Sequence, residues 1–378
     1  MTITYREQGS INKISEILEK EKPSSILLVR GNQSYEASGA KKAIEPQLNG
    51  FKVTHLSGFH KSPSIEDVKK AIDVIKENKI DFIIAVGGGT VMDVAKAASV
   101  LHKEEGPIDD YVTKKLKVKG ENIQRVLIPT TAGTGAEITP FSVVYIGKTK
   151  YSLGHASMSP DYVILAPELT YNLNPRITAQ TGCDALAQAI EGFWSAKATE
   201  ESKQFSREAI PLIMQNLAKA VNNPSPESRK AMLLGAHLAG KSIGIAKTTA
   251  AHALSYPITA YHNVPHGHAV MLSLPYFFPI NEGATEENIQ DGLTLGYVKN
   301  TFAELLSLLE VKSGEEAKDR LVALMEKIHL ETKLGELGIK EKDLQNVIDN
   351  GFNPQRVVNN PVKVTEEMEW EILKTIAR

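Results

Sequence analysis

Polar residues that can bind a metal interrupt apolar stretches in the second half of the chain. Asp184 and Gln188 are four residues apart, so on a helix they share a face, with Glu191 close by. His252 lies among small apolar residues, and His266 follows a proline. One carboxylate and two imidazoles form a credible catalytic metal set that leaves positions open for substrate or water. Taken singly, each histidine also fits a buried core residue, and Asp184 fits a helix cap or a core ion pair.

A triple glycine in the first half of the chain is suited to a dinucleotide. The apolar run Ile83–Val86 precedes it and a helix start follows it, so the backbone can approach a pyrophosphate while helix N–H groups point at the phosphates. A tight turn without a ligand is the alternative, because the run is not the GxGxxG fingerprint. The residues predicted to contact the dinucleotide here are Gly87, Gly88, Gly89, Thr90 and Asp93.

A second loop with small and hydroxyl residues follows another short apolar strand. Thr130, Thr131 and Thr134 lie in this loop, which is loosened by glycines. Hydroxyl and free N–H groups in such a loop can hold phosphates or the nicotinamide amide. A plain threonine-rich loop is equally compatible with the segment alone. Two such loops after neighbouring strands favour a shared dinucleotide site.

The order of predicted elements indicates where these loops lie. Short β-branched runs alternate with amphipathic stretches in the first half, which predicts a parallel sheet whose ligands bind beyond the carboxyl ends of its strands. One amphipathic stretch predicts a helix over Tyr35–Leu48. After Pro175 the periodicity becomes helical. We therefore predict an α/β dinucleotide-binding domain over residues 1–175 and an all-α metal- and substrate-binding domain over residues 176–378.

Composition excludes several classes of function. The 378 residues carry 43 basic and 45 acidic side chains, so no basic field is available for nucleic acid or an anionic membrane. The single cysteine, Cys183, cannot form an internal disulfide, and the first residues lack the apolar core of a signal peptide. We expect a cytoplasmic protein without a membrane segment and without nucleic acid as a partner. A homodimer is compatible with the sequence.

Four segments in the correct order resemble the iron-containing, group III alcohol dehydrogenase family, which includes glycerol dehydrogenases and maleylacetate reductases. Gly87–Lys96 resembles the family's GGGSxxDxxK signature and Thr130–Glu137 its TTAGTGSE segment. Asp184–Glu191 is similar to DALxHAIE, and Asn263–Gly267 to NxPHG. The likeness covers nearly the whole chain. It implies an oxidoreductase that uses NADPH or NADH and a divalent metal, iron or zinc.

The resemblance also implies individual ligands. By motif the metal ligands fall on Asp184, Gln188, His252 and His266. Gln188 departs from the family, because iron-dependent members usually carry histidine there, and an amide oxygen is a weaker and harder ligand than imidazole. Tyr256 stands where many relatives have another histidine near the nicotinamide.

The first glycine after the first long strand bears on the choice of cofactor. Many relatives place there an aspartate that accepts from the ribose hydroxyls, whereas this chain has Gly31. A 2′-phosphate would then be neither repelled nor crowded, which predicts NADPH, with Arg30, Asn32 and Ser34 as neighbours of the phosphate. An ordinary turn glycine and equal use of NADH is the alternative. The predicted dinucleotide contacts are completed by Thr139, Phe141 and Lys150.

The predicted reaction is reduction of a small aldehyde to an alcohol. A metal would polarise the carbonyl while the nicotinamide supplies hydride. His262, Tyr256 or water would deliver the proton, and the sequence does not choose among them. Lys247 is a candidate for binding an anionic substrate, because Lys150–His155, Lys247–His252 and Gln188 resemble the branch that reduces phosphonoacetaldehyde to 2-hydroxyethylphosphonate.

Three other functions are compatible with parts of the sequence. A general small-aldehyde or polyol dehydrogenase of the same family would share every motif. A lyase resembling dehydroquinate synthase would share the architecture but return its nicotinamide unchanged. Gln188 alone suggests a relative without a metal.

Overall fold

The computed structural model describes residues 2–351 and 357–377 and separates into two compact units, with the boundary between Leu173 and Asn174. The strands of the first unit are β1 Ile3–Tyr5, β2 Ile26–Arg30, β3 Val53–Leu56, β4 Phe82–Gly87, β5 Gln124–Pro129, β6 Phe141–Ile146, β7 Thr149–Gly154 and β8 Tyr162–Ile164. Six of them form a sheet in the order β1-β8-β5-β4-β2-β3, in which every pairing is parallel. The other two, β6 and β7, form an antiparallel hairpin that comes between β5 and β8 in the sequence.

Helices connect the strands of the first unit and cover its sheet. The central strands β2, β4 and β5 are buried along almost their whole length, as expected for parallel strands covered on both faces. Two buried apolar clusters form the core of this unit. Its helices are α1 Lys13–Glu21, α2 Gln33–Ala37, α3 Ala40–Ile44, α4 Ile65–Asn78, α5 Gly89–Leu101 and α6 Ile108–Val112.

The prediction of a single helix over Tyr35–Leu48 is wrong. Gly39 adopts φ 81°, a left-handed conformation that ends a helix and that glycine adopts without steric cost. The stretch therefore forms α2, α3 and a short 3₁₀ turn over Glu45–Leu48.

The second unit is helical, so the predicted combination of a parallel α/β domain and an all-α domain is confirmed. Helix α7 packs against α8, α9 and α11, and α10 packs against α11. None of the helices within residues 2–351 and 357–377 has the length and apolar character needed to cross a membrane. The helices are α7 Pro175–Trp194, α8 Glu200–Asn222, α9 Pro226–Ala246, α10 Ala250–His262, α11 His266–Glu282, α12 Leu295–Leu308, α13 Gly314–Lys327, α14 Leu344–Gly351 and α15 Glu366–Ala377.

Candidate metal centre and dinucleotide site

Helix α7 carries three polar side chains on its buried part. The helix begins at Pro175, and the side chain of the preceding Asn174 caps it by accepting a hydrogen bond from the backbone N–H of Arg176. Asp184, Gln188 and Glu191 follow within the buried stretch. Buried polar groups are costly unless they find partners, so these positions need a hydrogen bond or an ion.

Glu191 positions the start of α10. Its Oε1 atom accepts from the backbone N–H of Thr249 at 3.0 Å and from the Thr249 hydroxyl at 2.6 Å. Its Oε2 atom contacts Nδ1 of His252. Since the first N–H groups of a helix have no partner within the helix, a carboxylate from α7 here replaces the usual cap. His252 is thereby fixed within the first turn of α10.

His266 reaches the same place because α11 approaches α7 closely. His266 is the first residue of α11, and Gly267 follows it. A Cβ atom at Gly267 would lie 2.0 Å from the carbonyl oxygen of Gln180 and 2.7 Å from Cβ of Asp184, so only glycine permits this approach. Gly267 belongs to the NxPHG-like segment, but its role in this close approach could not be predicted from the motif.

Three of the four predicted metal ligands lie together. One ligand atom each from Asp184, His252 and His266 lies within 4.8 Å of the others. Nε2 of His252 is 3.4 Å from Oδ1 of Asp184, and the two imidazole rings lie 5.3 Å apart at 75°. Gln188, the fourth, is buried one turn after Asp184 on α7.

The electrostatics of the cluster favour a cation. Burial lowers the pKa of His252, but the carboxylates of Glu191 and Asp184 raise it more strongly, so that its pKa is about 9. Two carboxylates around the buried imidazole of His252 thus stabilise positive charge, and imidazole with carboxylate is a donor set that divalent transition metals accept. The residues fit a divalent metal.

The three predicted catalytic residues lie at different distances from this cluster. The Tyr256 ring stacks on His266, with centroids 5.9 Å apart. His262 is the last residue of α10, about 15 Å from His252 along the helix axis by the usual rise per residue. Lys247 immediately follows α9, and its Nζ donates to the carbonyl of Gly244 at 2.9 Å.

The two predicted dinucleotide loops are neighbours in the first unit. The N–H of Thr130 donates to the carbonyl of Gly87 at 2.9 Å. A Cβ atom at Gly88 would lie 3.5 Å from Oγ1 of Thr131, and one at Gly89 only 2.9 Å from the Thr134 side chain. Helix α5 begins at Gly89, so its N–H groups emerge beside the threonine loop. The Thr90 hydroxyl donates to the carbonyl of Lys61 at 3.0 Å.

The Ser34 side chain packs against Gly31 in the loop that follows β2. A Cβ atom at Gly31 would lie 2.0 Å from the Ser34 hydroxyl oxygen, so that hydroxyl occupies the space a larger side chain would need. Asn32 precedes the first residue of α2. The Arg30 guanidinium lies over the Tyr35 ring at 5.1 Å and donates to the carbonyl of Gly31 at 3.2 Å.

Three other predicted dinucleotide contacts surround a buried lysine. Nζ of Lys96 lies 3.1 Å from Oδ1 of Asp93 and 3.0 Å from the Thr139 hydroxyl, and it donates to the carbonyl of Phe141. These contacts tie α5 to the start of β6. Lys150 lies on β7, paired with Tyr145. Lys96 was missed as a positioning residue, although the DxxK spacing on one helix turn was a usable signal.

Comparisons with known proteins agree with the motifs. The model for "Iron-containing alcohol dehydrogenase" matches residues 2–167, and that for "Fe-containing alcohol dehydrogenase family, C-terminal" matches residues 178–377. Long-chain-alcohol dehydrogenase 1 of Geobacillus thermodenitrificans is 32% identical over 323 residues, which are 84% of this chain and 80% of that protein. Phosphonoacetaldehyde reductase of Streptomyces viridochromogenes is 33% identical over 261 residues, 66% of each chain. The crystal structure of sulfoacetaldehyde reductase from Bifidobacterium kashiwanohense in complex with NAD+ superposes with a TM-score of 0.88 at 30% identity, over 100% of this chain and 97% of that one.

Proposed function

Because the chain belongs to the iron-containing alcohol dehydrogenase family, we propose that it reduces phosphonoacetaldehyde to 2-hydroxyethylphosphonate, with NADPH as the hydride donor. The broader activity follows from the family: the protein is a nicotinamide-dependent oxidoreductase of alcohols and aldehydes that uses a divalent metal. The clustering of Asp184, His252 and His266 is the observation that carries the metal-dependent part of the proposal.

The metal would be held by residues of one helical unit. Asp184 supplies negative charge, His252 and His266 supply imidazole nitrogens, and Gln188 adds an amide oxygen. A divalent cation at this position acts as a Lewis acid toward the substrate carbonyl. Asp184, Gln188 and His252 are buried, which strengthens the electrostatic interactions among them, while His266 is partly exposed.

Tyr256 is the proposed route for the proton. Hydride addition to an aldehyde produces an alkoxide, which must be protonated before the alcohol leaves. Tyr256 stacks on the ligand His266, whereas His262 stands at the far end of α10. The Tyr256 hydroxyl is therefore the better-placed donor of the two.

Two relatives and one basic residue support the choice of an anionic aldehyde. The phosphonoacetaldehyde reductase and sulfoacetaldehyde reductase to which the chain is similar are both named for a two-carbon aldehyde with a tetrahedral anion. Lys247 lies five positions before the ligand His252, where an ammonium can pair with such an anion. Sulfoacetaldehyde is the second candidate substrate, because the superposition with its reductase spans the whole chain.

Steady-state kinetics test the proposal. Purified enzyme, stripped of metal and reloaded with Zn²⁺ or Fe²⁺, would be assayed with phosphonoacetaldehyde, sulfoacetaldehyde and butanal, using NADPH and NADH in parallel. We expect phosphonoacetaldehyde to exceed butanal by about tenfold or more in kcat/KM. A higher value for sulfoacetaldehyde would favour the second candidate, and equal values for butanal would leave a general aldehyde reductase. One NADPH oxidised per aldehyde distinguishes all of these from a lyase that recycles its cofactor.

A further inference from the structure

The side chain of Glu191 joins two functions in the second unit. It is fully buried on α7, yet its two oxygens serve different groups on α10. One oxygen binds the N–H and hydroxyl of Thr249, and the other contacts Nδ1 of His252. A single carboxylate therefore both begins the helix that carries His252 and holds the ring of that histidine.

The chemistry of this contact fixes the hydrogen on the ring. An ionised carboxylate has only acceptor positions, so Nδ1 of His252 must carry the hydrogen that it shares with Glu191. Nε2 is then the nitrogen available to a metal, and it is the atom that faces Oδ1 of Asp184 at 3.4 Å. The opposite arrangement would place a hydrogen where a metal ligand is needed.

A parallel arrangement holds His266. The Ser255 hydroxyl donates its one hydrogen to the carbonyl of His252 at 2.7 Å. At its 3.3 Å contact with Nδ1 of His266 it must therefore accept, so Nδ1 of that ring also carries a hydrogen. Both imidazoles thus keep Nε2 as the nitrogen for metal binding.

We propose that Glu191 is a positioning residue that holds the hydrogen of His252 on Nδ1 and so prepares Nε2 as a metal ligand. This inference rests on the proposed metal site at Asp184, His252 and His266. Groups that orient a ligand histidine in this way typically contribute about 10- to 100-fold to metal affinity. Glu191 should therefore control metal retention without touching the metal.

The test is the metal affinity of Glu191→Gln. The amide keeps an oxygen that can accept from Thr249, but its NH₂ group then faces Nδ1 of His252 and favours the hydrogen on Nε2. We expect the dissociation constants of Zn²⁺ and Co²⁺, measured against a chromophoric chelator on stripped protein, to rise by about 10- to 100-fold. The visible spectrum of the bound Co²⁺ should change as well.

A matched variant separates this role from helix capping. Thr249→Val removes the hydroxyl that contacts Glu191 and Trp194 but leaves the Glu191–His252 pair. We expect it to lower the unfolding temperature while keeping the Zn²⁺ dissociation constant within about threefold, because the ring contact is retained. Equal weakening in both variants, or wild-type affinity in Glu191→Gln, would overturn the proposal.

A spectroscopic measurement covers the case in which Glu191→Gln does not fold. Zinc-loaded wild-type protein should show a downfield imidazole Nδ1–H proton resonance that disappears in His252→Asn; its absence would overturn the proposal. A wild-type protein that binds no metal would refute the proposed function itself. Tight binding that Glu191→Gln leaves unchanged would refute only the role of Glu191.

Discussion

Oδ1 of Asp184 and Nε2 of His252 lie 3.4 Å apart, although they belong to different helices of the second unit. Two ligand atoms that each bind zinc at about 2.1 Å in a tetrahedral shell are separated by about 3.4 Å. The spacing of these side chains therefore matches the edge of a metal coordination shell. The contact of Glu191 with His252 and the close approach of α11 to α7 at Gly267 hold the helices that carry these side chains together.

Removal of a metal ligand should abolish turnover without unfolding the protein. We expect Asp184→Ala and His266→Ala to lower kcat by orders of magnitude, since Lewis-acid stabilisation is worth several kcal/mol, and to lose bound metal. Metal content by elemental analysis, kcat and circular dichroism would be measured together. Asp291→Ala, which removes a surface ion pair with Lys363, is the control. Wild-type kcat for either ligand variant in chelated buffer would disprove the metal mechanism.

Gln188 should influence which metal is retained. An amide oxygen suits hard cations, whereas imidazole suits Fe²⁺ and Zn²⁺. We expect Gln188→His to increase affinity for Fe²⁺ relative to Mn²⁺ by about tenfold, in competition titrations of stripped protein. If the ratio of the two affinities stayed constant, Gln188 would not be a ligand.

The cofactor preference should depend on Arg30. Its guanidinium lies over the Tyr35 ring beside position 31, where this chain has glycine in place of a carboxylate that would repel a 2′-phosphate. We expect wild-type kcat/KM to favour NADPH over NADH, and Arg30→Ala to reduce the NADPH value by about tenfold while changing the NADH value little. Wild-type preference for NADH, or equal losses with both cofactors, would contradict this assignment.

A buried carboxyl on α15 should make stability depend on pH. Burial, with a smaller contribution from Glu366, raises the pKa of Glu369 from 4.5 to about 8. The folded protein therefore binds a proton between these pH values that the unfolded chain releases, so native stability is lost as pH rises from about 5 to about 8. The slope from this group approaches about 1.4 kcal/mol per pH unit within that window.

Tryptophan fluorescence during urea unfolding measures this slope in the second unit, because both tryptophans, Trp194 and Trp370, lie there. Glu369→Gln should flatten the pH dependence and stabilise the protein most at the alkaline end. Glu371→Gln, which removes an exposed carboxylate paired with Lys374, is the control and should keep the wild-type slope. The same slope in Glu369→Gln would show that another group is responsible.

The residues that could bind a metal were predicted from the sequence, whereas the residues that position them were not. Asp184 and Gln188 were found because a spacing of four on a helix predicts a shared face, and His252 because an imidazole interrupts a run of small apolar residues. Gly267 acts through a contact between α11 and α7, which are far apart in the chain, and Ser255 through a contact between the consecutive helices α10 and α11; spacing along one helix encodes neither contact. The break at Gly39 was missed for a different reason: a left-handed backbone conformation ends the helix there, and hydrophobic periodicity does not report it.

The backbone conformation of Lys247 is unusual, and it makes this residue the best position at which to test the proposed substrate. It adopts φ 64° and ψ 167°, a region occupied almost only by glycine that costs about 1–3 kcal/mol for other residues. Hydrogen bonds to the residues before and after Lys247 hold it in this conformation. The Ser195 hydroxyl donates to the carbonyl of Ala246 at 2.6 Å, and the Asn359 amide donates to that of Thr248 at 2.9 Å. This backbone cost supports the proposal that the Lys247 ammonium binds the anionic substrate.

Lys247→Gly is the sharpest variant, because glycine keeps this backbone and removes only the side chain, whereas alanine would keep the strain. We expect its stability to equal or exceed that of the wild type by about 1 kcal/mol. Its kcat/KM for phosphonoacetaldehyde should fall by about tenfold or more while that for butanal stays nearly constant, since only the anionic substrate needs the charge. Lys241→Ala, whose ammonium lies over the Phe205 ring, controls for general loss of positive charge. Equal losses for both aldehydes in Lys247→Gly would assign the Lys247 ammonium to its contact with the Gly244 carbonyl in the last turn of α9 rather than to substrate binding, and the activity would then be that of a general aldehyde reductase.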